Sequence, residues 1–238
     1  MANTRICKGG IGVDKIVYLA VAGSGKTYNL CNRIDEDKRN IIIAFTNQNL
    51  KNIRKELMDK FGYIPKNTDI MTYHSFIYRD ILMPYEYIAW NKVERKYKQL
   101  KRNTKGITIV EPPPQPSYIN GVYTPSPYYT EVKYIEHYLD IKTKQYYCSR
   151  ISKLINKCGI KGIIEKAIRR LELFYDNLYI DEFQDFRSED YKLLNNITKR
   201  IDINCYLYGD YYQHSVSGTN NSGLPFSFVA ILNKIFPI

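Results

Sequence analysis

Residues 20–27 read Ala-Val-Ala-Gly-Ser-Gly-Lys-Thr and follow the apolar run Lys-Ile-Val-Tyr-Leu at 15–19. The spacing fits the phosphate-loop pattern GxxxxGK[ST], with Ala20 in the first glycine position and Gly25, Lys26 and Thr27 matching the rest. Phosphate binding by such a loop needs a strand, a tight turn of backbone N–H groups and a helix N-terminus aimed at the anion. Gly23 and Gly25 permit that turn. The reading therefore assigns nucleotide contact to Ala22, Gly23, Ser24, Gly25, Lys26, Thr27 and Tyr28. Lys26 would reach the β- and γ-phosphates, and the Thr27 hydroxyl would ligate Mg²⁺. In an empty loop Lys26 is expected to face solvent.

A second group of chemical residues follows at a distance in sequence. Asn-Leu-Tyr-Ile-Asp-Glu-Phe-Gln-Asp-Phe (177–186) is an apolar strand that ends in two carboxylates. Asp181 would hold Mg²⁺ and Glu182 would take a proton from an attacking water. Alone, an acidic pair at a strand end is a weak signal; beside a phosphate loop it gains meaning. A third stretch, Cys-Tyr-Leu-Tyr-Gly-Asp-Tyr-Tyr-Gln-His-Ser (205–215), ends a strand in Gly-Asp and places Gln213 just beyond. A neutral amide there can sense a γ-phosphate, although it is also an ordinary polar turn residue.

The elements that must position these groups are short. Runs at 15–20, 40–45, 69–72, 177–181 and 203–210 are β-branched and aromatic, as expected for strands buried on both faces of a parallel sheet. Helical stretches lie between them. Residues 46–61 carry Leu50, Ile53, Leu57 and Phe61 at helical spacing, and 188–200 begins with Ser188 as N-cap. Strand–helix alternation implies right-handed βαβ units. The fold class expected is α/β: a P-loop NTPase with a parallel sheet flanked by helices.

The middle of the chain reads differently. The net charge is +11, and nearly all of it lies in residues 91–172. Residues 91–105 hold seven Lys/Arg against one Glu, and 141–172 hold nine against two Glu, while 106–140 is acidic overall. Tyrosines are interleaved. Such a segment suits a polyanion: cations neutralise phosphates and rings stack on unpaired bases. Lys96, Lys98, Lys101 and Arg102 are the candidate contacts; a solvated basic surface is the plain alternative. The Pro-rich stretch at 111–127 excludes helix and central strand. Within it, Asn120-Gly121 predicts a hairpin turn pairing Ile119 with Val122 and Tyr118 with Tyr123. Residues 84–173 are read as an inserted, basic, mainly helical subdomain within a core made of 1–83 and 174–238.

Five scattered cysteines without a CxxC pair fit free thiols in a reducing, cytoplasmic setting. No apolar run reaches the ~18 residues of a membrane helix, and the N-terminus has no apolar signal core.

With these stretches in view, the chain resembles the first RecA-like domain of UvrD/Rep-type superfamily 1 helicases. Ala-Gly-Ser-Gly-Lys-Thr resembles its Walker A motif, Ile-Ala-Phe-Thr-Asn-Gln-Asn-Leu-Lys-Asn-Ile-Arg its motif Ia and Met-Thr-Tyr-His-Ser-Phe its motif Ib. Ile-Asp-Glu-Phe-Gln-Asp-Phe resembles motif II and Leu-Tyr-Gly-Asp-Tyr-Tyr-Gln-His-Ser-Val motif III. The motifs run in the family's order, with the basic insertion where the family carries one. The resemblance implies ATP and Mg²⁺ as ligands and a RecA-like core. It also places Thr46, Asn47, Arg54, Thr72, His74, Ser75 and Phe76 toward single-stranded DNA, RNA not being excluded. The expected role is half of an ATP-driven translocase, either the N-terminal half of the motor or a short relative whose second RecA-like domain is another chain. The competing expectation is a non-motor module whose grip on nucleic acid is switched by ATP.

Overall fold

The computed structural model describes residues 13–20, 23–119, 122–186 and 188–210. The chain divides into two compact units: one uses the described residues up to Phe76 and from Ile168 onward, the other is Ile77–Ala167.

The first unit begins with β1 (Lys15–Ala20), α1 (Lys26–Asn32), β2 (Asn40–Ala44), α2 (Asn47–Phe61), β3 (Thr68–Thr72) and the short α3 (Tyr73–Phe76). In the second unit come α4 (Glu86–Lys92), β4 (Ile107–Thr108), β5 (Ser117–Ile119), β6 (Val122–Thr124), β7 (Leu139–Asp140), β8 (Gln145–Tyr147) and α5 (Cys148–Cys158). Helix α6 (Glu165–Phe174) spans the second division. The first unit then resumes with β9 (Asn177–Ile180), α7 (Ser188–Arg200) and β10 (Asn204–Asp210).

The described residues of the first unit form a five-stranded sheet in the order β1-β10-β9-β2-β3, parallel throughout. Every residue of β2 and β9 is buried. This is why those strands read as continuous apolar runs rather than alternating ones. Alternation still sorts the faces. Ile16, Ile42, Tyr179, Tyr206 and Tyr208 pack with Leu30 and Cys31 of α1 and with Leu50, Ile53 and Leu57 of α2. Leu207, one residue out of phase, meets Leu194 and Thr198 of α7.

Local chemistry sets the ends. Thr46 caps α2 by accepting from Asn49 N at 3.1 Å. Gly62 ends it at φ 77°, a left-handed turn that glycine adopts without Cβ strain. Lys60, in the last turn of α2, donates to the carbonyls of Cys31, Asn32 and Ile34 and so closes the end of α1. Across the amino-terminal edge of the sheet, Thr68, Asn40, Asn177 and Asn204 form a chain of side-chain hydrogen bonds of 2.9–3.2 Å. It continues to β1 through Asp14 N, which donates to Asn204 Oδ1 at 2.8 Å. One polar row thus crosses all five strands, and its buried amides find partners only in this register.

In the second unit, helices make up most of the regular structure. Helix α5 buries Ile151, Leu154 and Ile155. A small sheet has the order β4-β8-β7, and β5 and β6 form the expected hairpin, Ile119 opposite Val122 and Tyr118 opposite Tyr123. Its turn residues Asn120 and Gly121 lie outside the described residues. No helix among the described residues is long and apolar enough to cross a membrane.

Candidate active site

The carboxyl ends of β1, β9 and β10 bring the phosphate loop and two of the acidic stretches together, the position where open parallel sheets bind ligands. Ala20 is in register with Asp210, so the loop leaves β1 beside the end of β10. Gly23 and Gly25 both take positive φ, 75° and 79°, and Gly25 is the N-cap of α1. Gly23, Ser24, Gly25 and Tyr28 are exposed, and Thr27 is half-buried. Ala22 and Gln213 lie outside the described residues.

Lys26 corrects one expectation. Its side chain is 8% exposed rather than solvent-facing. Nζ lies 3.3 Å from Glu182 Oε2 and 3.6 Å from Asp210 Oδ2. The physical reason is charge: a lysine at this position is drawn to the two nearest carboxylates, and burial strengthens the attraction.

Asp181 and Glu182 occupy different environments although they are adjacent. Asp181 is 2% exposed, and its N–H donates to Ile43 O at 2.8 Å. Burial, and then the neighbouring Glu182 charge, push its carboxyl up to about 7. Its Oδ1 is buried and has no hydrogen-bond partner among the described residues. A buried acceptor of that kind fits a hard cation or its water. Glu182 has left-handed φ, 50°, an uncommon conformation for a residue other than glycine and one that recurs at functional sites.

Two residues that the sequence reading left out complete the site. Gln184 Nε2 donates to Glu182 Oε2 at 2.7 Å, and its Oε1 accepts from Asp210 N at 3.0 Å. Asp210 is 1% exposed and pairs with Lys26. The signals were present as the Glu-x-Gln spacing at 182–184 and the carboxylate closing β10, but their meaning depends on β10 lying between β1 and β9.

The residues expected toward nucleic acid are spread more widely. Thr46 is engaged as the α2 cap, and Asn47 beside it is exposed. Arg54 is exposed and donates to Ile70 O at 3.2 Å. Thr72 and Ser75 share a hydroxyl hydrogen bond of 2.9 Å, and Thr72 accepts from Ser75 N, so Thr72 starts α3. His74 lies edge-on to Tyr73, with Phe45 at 6.1 Å; burial lowers its pKa, opposed by the Asp190 charge. Phe76 is a correction: it is fully buried, so it supports the core and offers no face to a base.

Lys96, Lys98, Lys101 and Arg102 are all exposed, on the segment between α4 and β4. Carboxylates tie this segment at both ends. Buried Glu136 accepts from Lys96 N at 3.1 Å and Tyr97 N at 2.9 Å. Glu86 accepts from the Thr104 hydroxyl and from Tyr146 Oη. The backbone is held while the cations project outward.

A family model described as an AAA domain matches residues 6–219 of the chain. No curated protein matches it.

Proposed function

The chain belongs to the AAA domain family, and we propose that it binds and hydrolyses ATP and holds single-stranded DNA as the ATP-binding half of a helicase-type motor. The observation that carries the nucleotide half is the cluster of Lys26, at the start of α1, with Glu182 and Asp210, at the ends of β9 and β10, beside a glycine loop and an Asp181 oxygen without a hydrogen-bond partner among the described residues. The DNA half rests on the four exposed cations at 96–102 and on the resemblance of 46–54 and 72–75 to the helicase motifs.

The chemistry follows from the residues. Backbone N–H groups of the loop at 22–27 cradle the phosphates, and Lys26 exchanges its carboxylate partners for phosphate oxygens. Thr27 and Asp181 would hold Mg²⁺, which when bound would neutralise charge on the phosphates. Glu182, released from Lys26, accepts the proton of the attacking water. Gln213 is proposed to contact the γ-phosphate.

Phosphate release by the chain, with and without an unstructured single-stranded oligonucleotide, tests the reading. Release that DNA accelerates supports it. ATP binding with no DNA binding at low salt would leave an ATPase without the motor role.

A further inference from the structure

We infer that Gln184 is a positioning residue for hydrolysis: it holds the Glu182 carboxylate in place after Lys26 has left it, and ties it to the end of β10. This inference rests on the proposed ATP hydrolysis.

The first observation is the pair of hydrogen bonds. One end of the Gln184 amide donates to the same oxygen, Glu182 Oε2, that faces Lys26 Nζ. The other end accepts from the backbone N–H of Asp210. Gln184 is 6% exposed, so neither bond competes freely with water.

The second observation is independent of those bonds. A Cβ at Gly209 would lie 2.4 Å from Phe183 Cε1 and 3.0 Å from Gln184 Oε1. Here glycine is required by the close approach of the turn at Phe183–Asp185 to the end of β10. The turn is therefore seated on β10, and Gln184 is the polar contact in that seat.

The consequence is a division of labour. Among the described residues the Glu182 carboxylate has two partners, a cation and an amide. Phosphate would draw Lys26 away and leave the amide. A glutamate on a left-handed backbone needs such an anchor, because its backbone alone does not fix its rotamer. A donated N–H holds the carboxylate without cancelling its charge. Because the other end of the amide grips Asp210 N, movement of β10's end would move the base.

The test is a double-mutant cycle on phosphate release by the full chain, using Gln184→Met, Glu182→Gln and the double variant. Gln184→Met should lower kcat ~10–100-fold, a fraction of what a general base supplies, with ATP affinity unchanged in a fluorescent-nucleotide titration. In the Glu182→Gln background the same change should have almost no effect, since there is no base left to hold. A structural role would lower both backgrounds alike. If Gln184→Met melts early, Gln184→Glu keeps the shape and replaces the donor with an acceptor; it should lower kcat likewise. A readout without nucleotide is the Gln184 side-chain amide NMR signal, which should shift in Glu182→Ala. An unmoved signal, or equal losses in both backgrounds, overturns the inference and leaves the hydrolase reading standing. A wild type that binds ATP without any release, even with DNA, overturns both.

Discussion

Lys26, the first residue of α1, and Asp210, the last of β10, sit 3.6 Å apart, the aspartate 1% exposed. They are 184 positions apart in sequence, and parallel pairing of β1 with β10 brings them together. A buried carboxylate beside a lysine that must also serve phosphate means that binding and stability share one cation.

Lys26→Ala should accordingly do two things. ATP affinity should fall at least ~100-fold, because the loop loses its cation. The melting temperature should also drop, since removing one partner of a buried pair strands the other and costs about 3 kcal/mol. Lys26→Arg should restore stability better than affinity, its planar head being a poor substitute in a loop shaped for an ammonium. Nucleotide titration and thermal melts read the two effects separately. Unchanged ATP affinity in Lys26→Ala would remove the phosphate-loop assignment.

The two carboxylates should separate by substitution. Glu182→Gln should keep Mg²⁺-dependent ATP binding and lower turnover ~10²-fold or more, an amide being unable to accept the water's proton. Asp181→Asn should weaken binding only when Mg²⁺ is present. Equal turnover in Glu182→Gln and wild type would take the base role from Glu182.

Gly209→Ala should destabilise by about 2 kcal/mol, the range of overpacking in a filled interior. The added methyl meets the Phe183 ring at 2.4 Å, and ring and strand must separate. Denaturant unfolding measures this. The second substitution Phe183→Leu should recover part of the loss by vacating the ring edge.

Changing Lys96, Lys98, Lys101 and Arg102 together to Gln should weaken oligonucleotide binding and flatten its salt dependence. Each lost phosphate contact removes roughly 0.7 from the log–log slope on a single strand. ATP affinity should not change. Fluorescence anisotropy at several salt concentrations decides; an unaltered slope would make the cluster a solvated face.

His137 predicts a pH effect in the second unit. It is 3% exposed, its Nδ1 lies 2.7 Å from Thr130 O, and Arg150 approaches at 3.3 Å. Burial, reinforced by the charges of Arg150, Lys153 and Lys157, lowers its pKa to about 4. The unfolded chain protonates near the ordinary 6.5 and the folded unit only near 4. Stability is thus full above about 6.5 and is lost as the pH falls toward 4. Melting temperatures of wild type and His137→Phe at pH 7.5 and 4.5 test this: the drop on acidification should be smaller in the variant.

Much of the architecture was legible in the sequence for physical reasons. Buried parallel strands must be apolar on both faces, so β2 and β9 announced themselves. The Gly-Ser-Gly-Lys-Thr loop needs glycine where φ is positive, and the structure places Gly23 and Gly25 there. The hairpin pairing of Tyr118 with Tyr123 followed from the two residues set aside for its turn. All of these are local constraints, written in residue types within a few positions of one another.

What only the tertiary structure decided is long-range. The sequence marked Lys26, Asp181 and Glu182 as chemical groups but carried no record of strand order. Insertion of β10 between β1 and β9 is what puts Asp210 on Lys26 and Gln184 on both Glu182 and Asp210. The same order turned Lys26 inward, where charge attraction outweighs its hydration. Periodicity reports which face of an element is apolar; only packing determines which charged group another element brings to meet it.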